Sequence, residues 1–412
     1  MKKFKVVTHG CRTNQYETQG YRDQLLALGY QEVDEGEEPD ICIVNSCTVT
    51  HSADVSSMRS VHRLLREHPE AKIAVTGCMA EAKQSELLQK GVALVVLNHE
   101  KEQLVNKLFP EAETLPEFSI RNFEAHTRAF VKVQDGCNSY CTYCIIPYVR
   151  GRSKSRPIQE IIDEVQVLVA NGYREVVITG INVGDYQDRE QTLADLMRAV
   201  DNIEGLSRLR LSSIDPDEVD DKLMRSIVEG KHCCRSMHIV LQSGSNVILK
   251  RMNRKYTRQV FLETIERLQA EDPSFTFTTD IIVGFPGETE KDFEETLEVI
   301  ERVQFAKVHI FPYSPRERTR AALYSDQLPT QIIAERRERA QACADKASFL
   351  LRSGYVGKEL TILTEASKEE VHIEGHSDNF LFVQVAGKGR VNEFVKVRCI
   401  GNTAQALIGE RI

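Results

Sequence analysis

Six of the eleven cysteines sit where thiolates could hold metal. Cys137, Cys141 and Cys144 lie together in "GCNSYCTYC", a C-x3-C-x2-C spacing. A structural zinc cage takes four protein ligands, and a catalytic zinc takes three plus water. No histidine or fourth cysteine lies nearby to close a cage, so something other than protein would complete the metal. Cys11, Cys47 and Cys78 are far apart, yet each follows a short apolar run: "FKVVTHG", "ICIVNS" and "KIAVTG". Three soft thiolates suit an iron–sulfur cluster better than a hard cation.

The elements around these cysteines must bring them together. Residues 1–115 alternate apolar runs with amphipathic stretches, which predicts an open parallel α/β domain with strands "FKVVT", "ICIVN", "KIAVTG" and "ALVVL". In such a sheet the C-terminal ends of the strands share one edge, so Cys11, Cys47 and Cys78 can converge there. Asn14 and Glu17 read as a capping pair opening the first helix. Residues 116–128 fall in an aperiodic stretch with two prolines and are expected to be a linker. Residues 129–352 carry six candidate strands, "FVKVQ", "EVVITG", "LRLSS", "MHIVL", "FTFTTDIIV" and "AKVHIF", then a long charged helix from Thr330. That pattern predicts a partial (β/α)6 barrel, with Cys137 just past the C-terminal end of its first strand, where barrel active sites gather. A helix is expected over Ile158–Ala170, and Thr289 as the cap of another. Residues 353–412 hold five short strands, the content of a small closed antiparallel β-barrel.

With 412 residues the chain exceeds a single core. No run approaches the roughly 18–20 apolar residues that cross a bilayer, and "MKKFKVVTHG" reads as a first strand rather than a signal peptide. We therefore expect a cytoplasmic protein with no membrane partner, in a compartment where cysteines serve metal or redox chemistry. Cys42, Cys233, Cys234, Cys343 and Cys399 share no such placement and read as structural. The net charge of −8 argues mildly against a polyanionic partner, but local basic groups decide such contacts. Three stand out: "RGRSKSR" from Arg150, "RMNRKYTR" from Arg251 and "RERTR" from Arg316.

The order "THGC", "NSCTVT", "VTGCMAE" and "DGCNSYCTYCIIPYVRGRSKSRP" resembles the methylthiotransferases among the radical S-adenosylmethionine (SAM) enzymes. The likeness continues through "LQSGSNVILKRMNRKYT", "TDIIVGFPGETEKDF" and "GHSDNFLFVQV", nearly the whole chain. "NQYET" resembles the type that modifies N6-threonylcarbamoyladenosine beside the tRNA anticodon. The resemblance implies an N-terminal cluster domain, a central radical SAM barrel and a C-terminal TRAM-like, RNA-binding barrel. It implies two 4Fe-4S clusters, one on Cys11, Cys47 and Cys78, the other on Cys137, Cys141 and Cys144 with SAM on its fourth iron. One SAM would methylate a sulfur, a second would yield the radical that takes hydrogen from carbon 2 of the adenine, and a 2-methylthio group would result.

By position, Tyr143 would meet the adenine of SAM, Gly180 would let backbone approach the ligand, and Asn182 would hold its methionine end. Ser212 and Ser213 would bind ribose, while Gln242 and Asp280 would touch SAM or substrate. Arg150 and Arg152 would hold phosphates of the anticodon loop, and Lys388, Arg390, Lys396 and Arg398 would form an RNA-binding face. Phe380 and Phe382 read as core or as stacking residues. A sulfur source and an electron donor such as a flavodoxin or ferredoxin are expected partners. Two departures stand out: His9 before the first cysteine, either a second-cluster contact or a surface residue, and "YSPRERTRAA" around Glu317 to Arg320. Rival readings are the same chemistry on isopentenyladenosine in tRNA or on a ribosomal-protein side chain, and a non-catalytic iron–sulfur protein that binds RNA or senses redox state.

Overall fold

The computed structural model describes residues 2–33, 36–112, 114, 117–123, 127–366 and 372–412. Its first sheet is wholly parallel and contains the three expected strands Lys3–Thr8, Ile41–Ser46 and Lys72–Gly77. "ALVVL" contributes only the edge pair Leu94–Val95, and an unforeseen short strand, Gln31–Glu32, forms the other edge. In chain order the strands lie 2-1-3-4-5. The reversal falls between Lys3–Thr8 and Ile41–Ser46, and crevices at such a reversal are where open sheets bind ligands. Every residue of Ile41–Ser46 is buried, because helices cover both faces. Ile41 and Ile43 pack with Phe4, Tyr21 and Leu25 on one side, while Cys42 and Val44 meet Val61 and Leu64 on the other.

The stretch expected as a linker is anchored. Phe118 lies against Tyr16 and Tyr21 and fills the space over Gly20, where an added Cβ would stand 2.5 Å from its ring. Ile120 and Phe123 join the central core. Residues 116 and 124–126 of that stretch lie outside the described residues.

The central unit has the six expected parallel strands, Arg128–Lys132, Glu175–Thr179, Arg208–Leu211, Ser236–His238, Thr276–Val283 and Lys307–Pro312. They form two three-stranded sheets joined by parallel bridges Leu209–Cys233 and Ile214–Ile239, which makes an incomplete barrel. Residues alternate along each strand. Val176, Ile178, Phe277, Ile281 and Val308 face the helical jacket, leaving Glu175, Arg210, His238 and Asp280 for the interior. Helix Ile158–Ala170 spans its expected residues, and Thr289 caps helix Glu290–Val303, its Oγ1 accepting from the Asp292 N–H at 3.3 Å.

The last strands close a five-stranded barrel. All its pairs are antiparallel except Phe382–Ala386 with Leu407–Arg411, which run parallel. This barrel plugs the end of the central one where the strands begin. Arg208 and Arg210 donate to the carbonyls of His376, Thr361 and Ser377, and Phe380 lies under the Arg210 guanidinium at 5.1 Å. Phe380 also stacks on His376 at 4.6 Å, so it serves the domain interface rather than nucleobase stacking. Phe382 approaches the same imidazole at 5.1 Å. Among the described residues no helix is long and apolar enough to cross a membrane.

Candidate active site

The N-terminal trio converges at the strand reversal. Cys11 caps helix Arg12–Ala27, Cys47 follows the central strand, and Cys78 opens a short helix after Gly77. Gly10 holds a φ of 101°, and a Cβ there would lie 2.9 Å from the Cys47 Cβ and 3.0 Å from its Sγ. Only glycine lets the chain pass so close. Burial, then the neighbouring Cys78 and Cys11 thiols, push the Cys47 thiol up to about 12. Burial, together with the neighbouring Cys11 thiol, also raises the Cys78 thiol, and bound metal relieves such crowding by taking up the thiolate charge. Among the described residues the trio has no fourth protein ligand. The His9 ring turns away to Ser60 Oγ at 2.9 Å, which answers the question it raised.

Cys137, Cys141 and Cys144 lie on the loop beyond the first barrel strand. Burial and then Cys141 raise the Cys144 thiol. Two donors already point at this trio: the Ser139 N–H reaches Cys137 Sγ at 3.4 Å, and Arg254 Nη1 reaches Cys141 Sγ at 3.1 Å. Arg254 is itself held by Asp215 and by Tyr256 Oη at 3.0 Å. Hydrogen bonds to ligating sulfur are what tune iron–sulfur centres, so both trios fit such clusters.

Arg150 ties the trios together. It was expected at RNA phosphates, yet its side chain is 0% exposed. Its Nε donates to Cys78 Sγ at 3.3 Å, and its Nη1 donates to Glu17 at 3.1 Å and to Asp135 at 2.8 Å. Asn14 takes another donor from the same guanidinium. Asn14 and Glu17 are therefore no capping pair. They sit within the helix, where Asn14 also bonds the His9 carbonyl at 2.7 Å, and Glu17 is fully buried among Arg150, Lys101 and Lys132. Despite its burial those three cations hold the Glu17 carboxyl down at about 2. Cys78 packs in one small apolar cluster with Ile145, Ile146, Val149, Cys137 and Cys144, so both cysteine sets border the same patch.

The loops over the barrel give each remaining candidate a place. Gly180 is needed for a protein contact: a Cβ would lie 2.9 Å from Gln134 Oε1. That oxygen accepts the Ile181 and Asn182 N–H groups at 3.0 and 2.9 Å, fixing the loop. Asn182 Nδ2 donates to Glu218 at 3.0 Å. Burial and nearby Asp215 raise the Glu218 carboxyl to about 7. Gln242 has a left-handed φ of 61° and a buried Oε1 with no partner among the described residues, a strained and unsatisfied group of the kind found at ligand sites. Tyr143 packs edge-on to Phe285 at 6.4 Å. Ser212 is buried and Ser213 exposed at the end of the third strand. Asp280 lies 3.4 Å from His238 inside the barrel.

The family model described as Radical SAM superfamily matches residues 131–300, and that described as Uncharacterized protein family UPF0004 matches 3–97. A protein of Chlamydia pneumoniae named threonylcarbamoyladenosine tRNA methylthiotransferase MtaB is 50% identical over 411 residues, 99% of this chain and 97% of that protein. The chain belongs to the radical SAM methylthiotransferase family. A tRNA-2-methylthio-N(6)-dimethylallyladenosine synthase of Trichlorobacter lovleyi is 36% identical over 99% of each chain. In fold the enzyme is similar to a radical SAM methyltransferase, TsrM of Kitasatospora setae, with TM-score 0.58 and 15% identity over 78% of this chain and 75% of that one.

In this methylthiotransferase each basic run sends at least one arginine inward, and the first also turns Arg156 onto buried Tyr16 and Glu164. Arg150 and Arg254 meet cysteine sulfur, and Arg316 donates to Thr48 at 2.6 Å and to Asp54 at 3.2 Å, just past Cys47. The departing "RERTR" segment thus braces the N-terminal domain, with Arg318 at a φ of 69°. Charge composition alone reads such arginines as phosphate ligands. Arg152 stays exposed and lines, with Lys154, Lys101 and His99, a cavity of about 340 Å³ between the two domains. Lys388, Arg390, Lys396 and Arg398 are all exposed on the C-terminal barrel. Arg398 is paired with Glu359 at 2.9 Å and Arg390 with Glu393 at 3.9 Å. Cys42, Cys233, Cys234 and Cys399 are buried, and burial pushes the Cys42 thiol up to about 11, in keeping with structural roles.

Proposed function

We propose that this enzyme adds a methylthio group to carbon 2 of N6-threonylcarbamoyladenosine beside the anticodon, at position 37 of tRNA. The observation that carries the proposal is the meeting of the two cysteine trios at one apolar patch, with Arg150 bonded to Cys78 from the loop that follows Cys144. Cys137, Cys141 and Cys144 would hold one 4Fe-4S cluster with SAM, and Cys11, Cys47 and Cys78 a second. Bound there, these groups supply one-electron chemistry and sulfur for an unactivated aromatic C–H, which acid–base side chains cannot attack.

The chain's own residues prepare the site. Arg254 donates to Cys141 and Arg150 to Cys78, so each set of thiolates faces a fixed positive group. Gln134 fixes the Ile181–Asn182 backbone. Tyr143, Gly180, Asn182, Ser212, Ser213 and Gln242 would meet SAM beyond the strand ends, and Glu218 would join them through Asn182. Arg152 and the exposed Lys388, Arg390, Lys396 and Arg398 would meet RNA phosphates. Unpaired anticodon-loop bases suit such a site because they can be drawn out of the stack. The division we propose is a cluster domain over 1–115, a connection over 116–128, the barrel and trailing helix over 129–352, and an RNA-binding barrel over 353–412. A reductant such as a flavodoxin or ferredoxin and a sulfur source would serve the enzyme in the cytoplasm.

Mass spectrometry of tRNA nucleosides tests the reading. A strain lacking the gene should lose 2-methylthio-N6-threonylcarbamoyladenosine and accumulate the unmethylthiolated nucleoside. Persistence of the modified nucleoside in that strain, with no second enzyme of this kind encoded, would refute the assignment.

A further inference from the structure

Arg12 follows Cys11 directly and reaches into the central barrel, its guanidinium 5.5 Å from the centre of the Phe130 ring. There it interacts electrostatically with Arg128, Arg210, Asp280 and Glu175. Those neighbours are already paired: Arg128 with Glu365 at 3.2 Å, Arg210 with Glu175 at 2.9 Å, and Asp280 with His238 at 3.4 Å. Arg12 alone of this group makes no ion pair or hydrogen bond among the described residues. A half-buried guanidinium without an anion has given up part of its hydration for no partner, and a bound ligand can supply the missing charge.

Its surroundings are shaped for a small polar group. His238, Asp280 and His309 offer ligand atoms within 4.8 Å of one another. His238 Nδ1 is tied to Thr278 Oγ1 at 2.9 Å, while its buried Nε2 faces Asp280 Oδ1 at 3.4 Å without forming a hydrogen bond. His309 pairs in register with Asp280 and is exposed, as are Lys307 and Phe311 on the same face of the last strand. This side of the barrel is therefore open to a ligand. A cation bound by the two histidines and Asp280 would sit beside Arg12 and Lys307, whereas a carboxylate would gain those two cations against the one Asp280 carboxylate, which His238 approaches at 3.4 Å.

We propose that Arg12, assisted by His309 and His238, binds the carboxylate of the threonyl group on the substrate adenine and so sets the enzyme's choice of acceptor. The inference rests on the proposed function and deepens it. In adenine, carbon 2 and the N6 substituent flank N1 on one edge. A residue adjacent to Cys11, which would serve sulfur delivery, is thus well placed for that substituent. A dimethylallyl group in its place would leave the guanidinium desolvated and unpaired. Sites built around a polar partner reject analogues lacking it by about 10⁴-fold or more.

Anticodon stem-loop RNAs carrying N6-threonylcarbamoyladenosine, its threonyl methyl ester, or N6-dimethylallyladenosine test the idea with reconstituted full-length enzyme. The wild type should methylthiolate the acid at least about 100-fold more efficiently, in kcat/KM, than the uncharged ester. Arg12→Met should erase most of that preference, and Arg12→Lys should restore part of it, with iron content measured for each variant. Equal use of acid and ester by the wild type would overturn the proposal without any variant. So would an unchanged preference in R12M, or a loss of SAM affinity in R12M without RNA, which would assign the guanidinium to the SAM carboxylate. Preference for the dimethylallyl RNA would instead overturn the proposed function.

Discussion

Replacing Arg150 by Met keeps much of the side-chain volume and removes one buried charge. At about 3 Å, and with an effective dielectric constant near 20, each Arg150–carboxylate contact is worth about 5 kcal/mol before desolvation. Most of that offsets the burial of the guanidinium itself. Breaking one partner of a buried ionic network costs about 3–5 kcal/mol net. Glu17 retains Lys101 at 2.7 Å and Lys132 at 3.6 Å, and Asp135 also retains Lys101, so the low end applies. About 3 kcal/mol corresponds to a fall in Tm of about 6–12 °C in a domain of some 200 residues. Because the chain has no tryptophan, the melt of cluster-free protein is best followed by far-UV circular dichroism or calorimetry. In reconstituted R150M, the electron paramagnetic resonance signal of the N-terminal cluster should change more than that of the SAM-binding one, since Cys78 loses its donor. An unchanged melt together with unchanged spectra would refute the view that Arg150 joins the two halves of the site.

Four further outcomes are expected. Cys141→Ala should abolish reductive SAM cleavage, whereas Cys47→Ala should leave 5′-deoxyadenosine formation measurable and stop sulfur insertion; equal loss in both would contradict the division of labour. Iron analysis of anaerobically reconstituted enzyme should give about eight irons per chain, falling to about four in either cysteine variant. Glu17 is depressed from 4.5 to about 2 in the fold, so it contributes stability above pH 4.5 that is lost as pH falls toward 2, about 3 kcal/mol in all. Acid melts of cluster-free wild type and Glu17→Gln should therefore converge across that window. In the C-terminal barrel, Lys388→Ala and Lys396→Ala should each weaken tRNA binding and lower the salt slope by about one, while Arg398→Ala, already paired with Glu359, should do less in filter-binding titrations.

The cysteines, the βα alternation and the terminal barrel were legible because each is a local pattern. Apolar periodicity marks a strand or helix within a few residues, and a C-x3-C-x2-C loop declares its ligand set in eight. The ends of parallel strands share an edge by topology, so even Cys11, Cys47 and Cys78 could be gathered from where their strands stop. The partners of charged side chains were not legible. Arg150, Arg254 and Arg316 look like a phosphate-binding surface in sequence, as Arg152 and Lys154 do, and nothing nearby distinguishes the buried from the exposed. Their acceptors, Glu17, Asp215 and Asp54, stand from 39 to 262 residues away. The same holds for "NQYE", which satisfies the capping pattern locally but lies one turn inside the helix, facing a different domain. What the linear order determined was the fold class, the two cysteine trios and the family chemistry. Only tertiary packing decided which charges are buried against those ligands and which remain free for RNA, because burial and pairing depend on distances that the chain closes when it folds.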